Sequence, residues 1–106
     1  MSRLASEFWV KAYIRRLSLV NIPAFVVSHG DDTAGAVLIK LSTLDGQARL
    51  FHRSYDMMTG DQTWAELSNG SEPDIDQLIQ KQRSFDPDLW VIEIEDSQGR
   101  HFLDDF

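Results

Sequence analysis

Residues 24–55 constrain the fold most, because three strand-like runs follow one another there with little between them. Apolar and β-branched residues dominate positions 24–28, 36–42 and 48–53, and polar or glycine-containing segments separate the runs. Between the last two runs, Asp45 and Gly46 form the dipeptide that most readily adopts the positive φ angles of a tight hairpin turn. The sequence therefore predicts a β-hairpin at the centre of the molecule.

Helical spacing of apolar residues predicts one helix before this region and one after it. The first helix is expected from Ser6, a candidate N-cap, to about Val20. The second is expected at about residues 72–85, capped by Ser71 or Glu72 and ended by the residues that follow. The expected apolar stripes are Trp9, Ala12, Tyr13, Leu17 and Val20 in the first helix, and Ile75, Leu78, Ile79 and Phe85 in the second.

The remaining strands complete the predicted fold. A short strand is expected at residues 63–67 and ends before a break at 69–71, whereas a longer strand at 89–95 has alternating dry and wet positions. A turn at 97–99 and a short edge strand at 100–103 follow. The predicted class is α+β: an antiparallel sheet of four to six strands, with the N-terminal helix and the second helix packed on it. The length of 106 residues predicts a single domain, 1–106.

Composition excludes several classes of function. The net charge of −7 opposes general nucleic-acid binding, and no window approaches the roughly 20 apolar residues of a membrane span. The absence of Cys excludes thiolate chemistry and fits a reducing compartment, so we expect a cytoplasmic protein. The N-terminus lacks the apolar run of a signal peptide, which supports the same expectation. Without a phosphate-binding glycine loop or a Gly-x-Ser-x-Gly motif, no cofactor is expected.

The hairpin predicts a face on which cations alternate with aromatic residues. A two-residue turn would pair Lys40 with Phe51 and Ile39 with His52, and a three-residue turn would shift this register. One alternative is that this face binds an acidic protein, a nucleotide or a single strand. The other is that the second helix covers it and that acidic side chains pair with its cations. The candidate binding residues are Lys40, Arg49, Phe51, Arg53 and Tyr55.

The loop after the first strand contains the residues with the most metal-binding potential. His29, Asp31 and Asp32 lie together, and His52 could join them if its strand ends nearby. Their spacing matches no established metal motif, and aspartates beside glycines more often form an ordinary turn. His52 is likewise either a core histidine or a general base without an identified partner.

The residues at 3–17, together with Gly30, Asp31, the segment 35–38 and Trp64, resemble a small alphaproteobacterial family, domain-of-unknown-function family 1491. The resemblance implies a short, single-domain cytoplasmic protein with no known activity, cofactor or catalytic residue. It draws attention to Arg16, which falls within the apolar stripe of the first helix. Arg16 either extends outward to water or forms an ion pair between helix and loop with Asp31.

Two hypotheses for the function remain from the sequence. The first is a non-enzymatic binding or accessory module that contacts a protein partner through a sheet face or an exposed edge strand. The second is a metal-assisted hydrolase or isomerase centred on the loop from His29 to Asp32. Homodimerisation through an open sheet edge is compatible with either.

Overall fold

The computed structural model describes residues 5–55 and 57–105. It has two helices and one five-stranded sheet, which confirms the predicted α+β class. Within these residues, no helix combines the length and the apolar content that crossing a membrane requires. In chain order the elements are α1 (Ser6–Ser18), β1 (Ala24–Ser28), β2 (Val37–Ser42), β3 (Gln47–Tyr55), β4 (Gln62–Ser71), α2 (Glu72–Phe85), β5 (Trp90–Glu95) and a 3₁₀ turn at Leu103–Asp105.

The strand order in the sheet is β1-β5-β2-β3-β4. Three of the four neighbouring pairs are antiparallel, as the sequence predicts, but β2 and β5 run parallel. The last strand of the chain thus lies between the first and second strands. Strands β1 and β4, at the two ends of this order, form the edges of the sheet.

The two helices cover opposite faces of the sheet, and alternation along β5 decides which residues meet which helix. Trp90, Ile92 and Ile94 join the cluster around α1, whereas Val91 joins the cluster around α2. With a helix on each side, all six residues of β2 are buried, which is typical of a central strand covered on both faces. The cluster on the α2 side consists of Leu38, Ala48, Leu50, Ile75, Ile79, Leu89 and Val91.

The start of α1 is held by the loop between β1 and β2 rather than by a side-chain cap. The backbone N–H groups of Ser6 and Glu7 donate to the carbonyl oxygens of Thr33 and Asp32, at 3.2 and 2.9 Å. These bonds satisfy two of the donors that a helix N-terminus leaves unpaired. The predicted N-cap is therefore wrong: Ser6 is buried within the helix, and its hydroxyl donates to the carbonyl of Gly35 at 2.6 Å.

Both helices are more exposed at their C-terminal ends than predicted. Helix α1 ends at Ser18, and Val20 is exposed instead of completing the apolar stripe. Helix α2 begins as expected, with the Ser71 hydroxyl accepting from the N–H of Asp74, and it ends at Phe85. The Phe85 ring, however, extends into solvent and does not pack with Ile75 and Ile79.

The predicted hairpin register is wrong by one residue. Ile39 pairs with Phe51 and Lys40 with Leu50, because Thr43 pairs with Gln47 and encloses a three-residue turn. A one-residue shift moves every side chain of one strand to the other face relative to its partner. Lys40 therefore lies on the α2 face with Leu50, opposite the face that carries Phe51.

Two predictions for the later part of the chain also change. Strand β4 continues through the expected break at 69–71, because its last residue, Ser71, pairs with Gln47. The predicted edge strand at 100–103 is absent from the described part of the chain. Leu103 instead begins the 3₁₀ turn and packs into the α1-side core.

Candidate functional site

Lys40 is buried in an ion cluster between the sheet and α2. Its ammonium lies 2.8 Å from a carboxylate oxygen of Asp76, 3.1 Å from Glu72 and 3.2 Å from Glu93. Burial alone would lower the pKa of Lys40, but hydrogen bonds to Asp76, Glu72 and Glu93 outweigh it and raise the pKa. Helix α2 and its acidic side chains therefore cover Lys40, which is 4% exposed. Lys40 is therefore not part of an exposed binding face.

Arg49 and Phe51 lie on the opposite, α1-side face and contact each other. The Arg49 guanidinium pairs with Glu66 on β4 and lies 4.9 Å from the centroid of the Phe51 ring. The hydrogen bond from Arg49 lowers the pKa of Glu66. Phe51 is buried and packs against the His101 ring, with the two centroids 4.7 Å apart. This part of the face is thus largely engaged within the protein.

Arg53 occupies an aromatic cage on the same face. Its guanidinium carbon lies 5.0 Å from the centroid of the Trp9 ring and 5.4 Å from that of Trp64, a geometry suited to cation–π attraction. The Tyr55 side chain lies outside the described residues. Binding of a partner by Arg49, Phe51, Arg53 and Tyr55 stays a prediction, although the first three already contact neighbouring side chains.

Sequence reasoning did not include Trp9, Trp64 and His101 in this cluster. Trp64 on β4 pairs with Arg53 across the sheet, and Trp9 comes from α1, so strand pairing brings one ring to Arg53 and helix packing brings the other. His101 lies in the segment that was predicted as a strand. Its burial lowers the pKa of the imidazole, consistent with its position against Phe51.

The loop between β1 and β2 brings together part of the predicted metal set. The Nε2 atom of His29 lies 2.6 Å from a carboxylate oxygen of Asp32, and Glu7 of α1 lies beside them. The hydrogen bond with His29 is the main reason that the pKa of Asp32 is lowered. Glu7 is a member that sequence reasoning missed as a ligand, because it is 22 residues before His29 in the chain.

Asp31 and His52, the other two metal candidates, have different surroundings. The Asp31 carboxylate accepts from the backbone N–H groups of Thr33 and Ala34, at 3.2 and 2.8 Å, and so stabilises a turn. His52 lies on β3, where it pairs with Leu38 of β2 and Ala65 of β4, and its side chain lies on the α2 face. Neither belongs to the cluster of Glu7, His29 and Asp32.

Arg16, the proposed ion-pair partner of Asp31, lies in the last turn of α1 and is exposed. The loop that contains Asp31 binds the first turn of the same helix, at Ser6 and Glu7. The nine steps of rise from Glu7 to Arg16 correspond to about 13 Å along a helix axis. The pair stays a prediction, and this separation argues against it.

The β1 edge of the sheet exposes apolar side chains and carries no charge of its own. Among the described residues, five of the eleven exposed large hydrophobic side chains lie within the nine residues from 19 to 27. Charged residues, proline and covering elements are the usual means by which proteins protect an edge, and β1 contains neither charge nor proline. The five exposed residues are Leu19, Val20, Phe25, Val26 and Val27.

The backbone of β1 offers hydrogen-bonding groups to the outside. The N–H of Glu95 donates to the carbonyl of Pro23, so Pro23 and Glu95 form a hydrogen-bonded pair of the β1–β5 ladder. Such pairs alternate with non-bonded pairs in an antiparallel ladder. Phe25 therefore bonds to Glu93, whereas the backbone groups of Ala24 and Val26 face away from β5, toward the open edge.

A groove beside this edge adds a surface of apolar residues and charges of both signs. It lies on the α2 face, between β1 and α2, and has a volume of about 370 Å³. Val27, Ile79 and Val91 provide apolar lining. The charged lining consists of two acids, Asp76 and Glu93, and two cations, Lys40 and Arg83.

The comparisons with known proteins agree with the resemblance seen in the sequence. The family described as "Protein of unknown function (DUF1491)" matches residues 4–104. The crystal structure of a DUF1491 family protein from Caulobacter crescentus is 41% identical and has a TM-score of 0.83. The alignment covers 94% of this chain and 92% of that one. The NMR structure of a DUF1491 family protein from the same organism has the same identity and TM-score, with 97% of this chain and 94% of that one covered.

A third solved structure is more distant. It is the solution structure of a protein from A. tumefaciens, 29% identical with a TM-score of 0.76, and the alignment covers 89% of this chain and 86% of that one. No functionally curated protein matches this chain. The family match over nearly the whole chain, together with the two Caulobacter structures, shows that the protein belongs to the DUF1491 family, whose function is unknown.

Proposed function

We propose that this chain is a small cytoplasmic, non-enzymatic binding module that recruits an extended segment of a partner protein onto the open edge of β1. The observation that carries the proposal is the concentration of exposed apolar residues at an uncharged edge strand. Addition of a strand to such an edge is a common mode of peptide recognition, in which backbone hydrogen bonds supply affinity and side-chain pockets supply specificity.

The outward-facing backbone groups determine where the partner would bind. Ala24 and Val26 together offer two N–H donors and two carbonyl acceptors, which is the pattern that an added antiparallel strand requires. The register shift after Val26 ends the regular part of the edge. The proposed contact is therefore short and is completed by side chains on the two faces of the added strand.

Charge determines the chemistry of that partner. Glu93 lies opposite Phe25 and is already paired with Lys40, whereas Glu95 lies opposite Pro23 and places a second carboxylate beside the edge on the α2 face. The protein as a whole has a net charge of −7. A strand that alternates apolar and basic residues would turn its cations toward Glu95 on the α2 face and its apolar side chains toward Val26 on the opposite face.

A synthetic peptide tests the proposal directly. An acetylated, amidated and fluorescently labelled (Lys-Val)₄ peptide is titrated with the full chain, and anisotropy measures its binding. We expect saturable binding that weakens as salt is added, and weaker binding of a (Glu-Val)₄ peptide. Equal binding of the two peptides would contradict the proposed charge preference.

A pair of substitutions at Val26 locates the binding site. Val26→Pro removes the outward N–H but no bond to β5, and proline is tolerated on edge strands in this orientation. Loss of one hydrogen bond worth about 1.4 kcal/mol should weaken peptide binding about tenfold. Val26→Thr keeps the donor and should bind as the wild type does. Equal peptide binding by the proline variant would overturn the proposal. A dimer detected by light scattering would do so as well, if a second copy of the chain occupies the edge.

A metal-assisted hydrolase or isomerase is the alternative function. The one observation that favours it is the cluster of Glu7, His29 and Asp32. The two functions are separable, because the peptide assay depends on Val26 and does not require a metal.

A further inference from the structure

Three side chains capable of binding metal converge where α1 meets the loop between β1 and β2. Glu7, His29 and Asp32 each offer one ligand atom, and these atoms all lie within 4.8 Å of one another. The Nε2 atom of His29 and a carboxylate oxygen of Asp32 are 2.6 Å apart. The set combines one imidazole nitrogen with two carboxylates from segments far apart in the sequence.

Two hydrogen bonds and one ring contact support the segments that carry these three residues. The N–H of Glu7 donates to the carbonyl of Asp32 at 2.9 Å, which ties the helix to the loop at the cluster itself. The His29 ring packs against the Trp90 ring, with centroids 4.0 Å apart, and the Trp90 indole donates to the carbonyl of Asp31 at 2.8 Å. A binding site needs this kind of support, because ligand side chains must be held close to their productive geometry.

The site is also open to solvent. The side chains of His29 and Asp32 are 61% and 57% exposed, so a bound ion would keep at least one position for water. Lys11 neutralises Glu7 in this structure at 2.8 Å, and its side chain is 74% exposed. An incoming cation can therefore replace this ammonium without any change in the core.

We propose that Glu7, His29 and Asp32 form a site for a single divalent cation, with Zn²⁺ as the preferred ion. Imidazole nitrogen and carboxylate oxygen are both common Zn²⁺ ligands, at about 2.0–2.2 Å. In a tetrahedral site such ligand atoms lie about 3.4 Å apart. Small rotations of exposed side chains bring the present cluster to that separation. The His29 nitrogen favours Zn²⁺ over Mg²⁺, which takes oxygen ligands and retains its waters.

This site is separate from the β1 edge in both its residues and its chemistry. It also differs from the metal set that the sequence suggested, since Glu7 takes the place of Asp31 and His52. If the site is occupied, the ion would link the first turn of α1 to the residues that follow β1. The fold would then be stabilised by zinc, and the melting temperature would depend on the zinc concentration.

Calorimetry tests the site with zinc alone. The full chain is stripped with a chelator, dialysed and titrated with ZnCl₂, and we expect one Zn²⁺ per chain. His29→Ala, which removes a largely exposed side chain, should weaken binding by at least about 100-fold. His52→Ala is the matched control and should leave the affinity unchanged. Titration with MgCl₂ should give much weaker binding.

Two further measurements distinguish a built site from an adventitious ion. Glu7→Gln should weaken zinc binding and lower the zinc-induced rise in melting temperature without removing a histidine. In NMR spectra of the imidazole nitrogens, zinc should shift Nε2 of His29 before it affects His52 or His101. Three results would overturn the proposal: a stoichiometry other than one Zn²⁺ per chain, equal zinc-induced NMR shifts at all three histidines, or unchanged zinc binding by His29→Ala.

Discussion

The hydroxyl of Tyr13 donates a hydrogen bond to the carbonyl oxygen of His101 at 2.8 Å. The two residues are 88 positions apart, so the bond joins the first helix to the C-terminal segment. Tyr13 is fully buried, and burial raises the pKa of its hydroxyl, which therefore stays protonated as a donor. The same ring stacks on Trp9, with centroids 4.9 Å apart.

Tyr13→Phe should lower the free energy of unfolding by about 1 kcal/mol, because the His101 carbonyl loses its donor while ring packing is retained. Urea denaturation followed by tryptophan fluorescence measures the change. Ser84→Ala, which removes an exposed hydrogen bond to the Lys81 carbonyl, is the control and should change stability by less than about 0.5 kcal/mol. Equal effects of the two substitutions would contradict a specific role for the Tyr13 bond.

Lys40→Met should destabilise the protein by about 2 kcal/mol. The substitution preserves apolar volume but leaves the carboxylates of Glu72, Asp76 and Glu93 facing one another without their cation. The effect is smaller than for a fully buried pair, because these carboxylates are 26–59% exposed and water screens them. Thermal and urea denaturation provide the measurement.

Two variants check the cause of that loss. Lys81→Met removes a cation from the exposed side of α2 and should change stability by less than about 0.5 kcal/mol. Adding Glu93→Gln to Lys40→Met should recover part of the lost stability, because it removes one of the opposed charges. Failure of the double variant to recover would point to packing rather than charge.

Asp96 should make the protein less stable in acid. Its carboxylate binds the side chain of Arg100, at 2.9 and 3.0 Å, and also the Arg100 backbone N–H, at 2.7 Å. Hydrogen bonding to the Arg100 side chain, opposed by burial, holds the pKa of Asp96 below its ordinary value of 3.8. A lowered folded-state pKa contributes stability that is complete above pH 3.8 and is lost as the pH falls through the folded-state value.

Asp96→Asn should therefore cost about 1–2 kcal/mol at pH 7, and the difference from wild type should shrink below about pH 4. Urea denaturation at a series of pH values from 3 to 7 measures this difference. The other acids contribute equally to the pH dependence of both proteins, so their contributions cancel in the difference in free energy of unfolding. Asp61→Asn, at an exposed position, is the control. A difference that stays constant throughout the series would rule out this linkage.

Gly30→Ala should be strongly destabilising for steric reasons. A methyl group there would lie 2.6 Å from the Cδ1 atom of Trp90 and even closer to the Asp88 carbonyl oxygen, so the backbone would have to move. We expect a loss of about 2–3 kcal/mol. Gly60→Ala is the matched comparison: it adds strain at a φ of +76° but meets no atom within 4 Å, and should cost about 1 kcal/mol. A reversed order in denaturation experiments would contradict this interpretation.

The sequence was sufficient for the class of fold and for the faces of β5, because alternation there is unambiguous. The hairpin register depended on whether the turn contains two residues or three, and the structure has three. Leu44 adopts a φ of +63°, which is uncommon for a residue with a side chain, and it widens the turn that Asp45 and Gly46 alone would make. The Asp45 carboxylate accepts from the Thr43 hydroxyl and the Gln47 N–H, which stabilises the wider turn.

The candidate sites were predictable only where their residues are neighbours in the chain. His29 and Asp32 were recognised because three positions separate them. Glu7 reaches them only because loop carbonyls, and not the Ser6 side chain, bind the start of α1. The sequence likewise indicated an open edge, but the identity of that edge depends on the position of β5, which no local pattern encodes.

The insertion of β5 between β1 and β2 has a consequence for the order of folding. Strands β2, β3 and β4 are joined by short connections and can pair soon after they are synthesised, whereas β1 acquires its neighbour only when residues 90–95 are available. About 65 residues separate these partners, so closing that loop follows the local pairings. A chain leaving the ribosome therefore carries β1 without a sheet partner until residues 90–95 have been made, and β5 then joins β1 to the rest of the sheet.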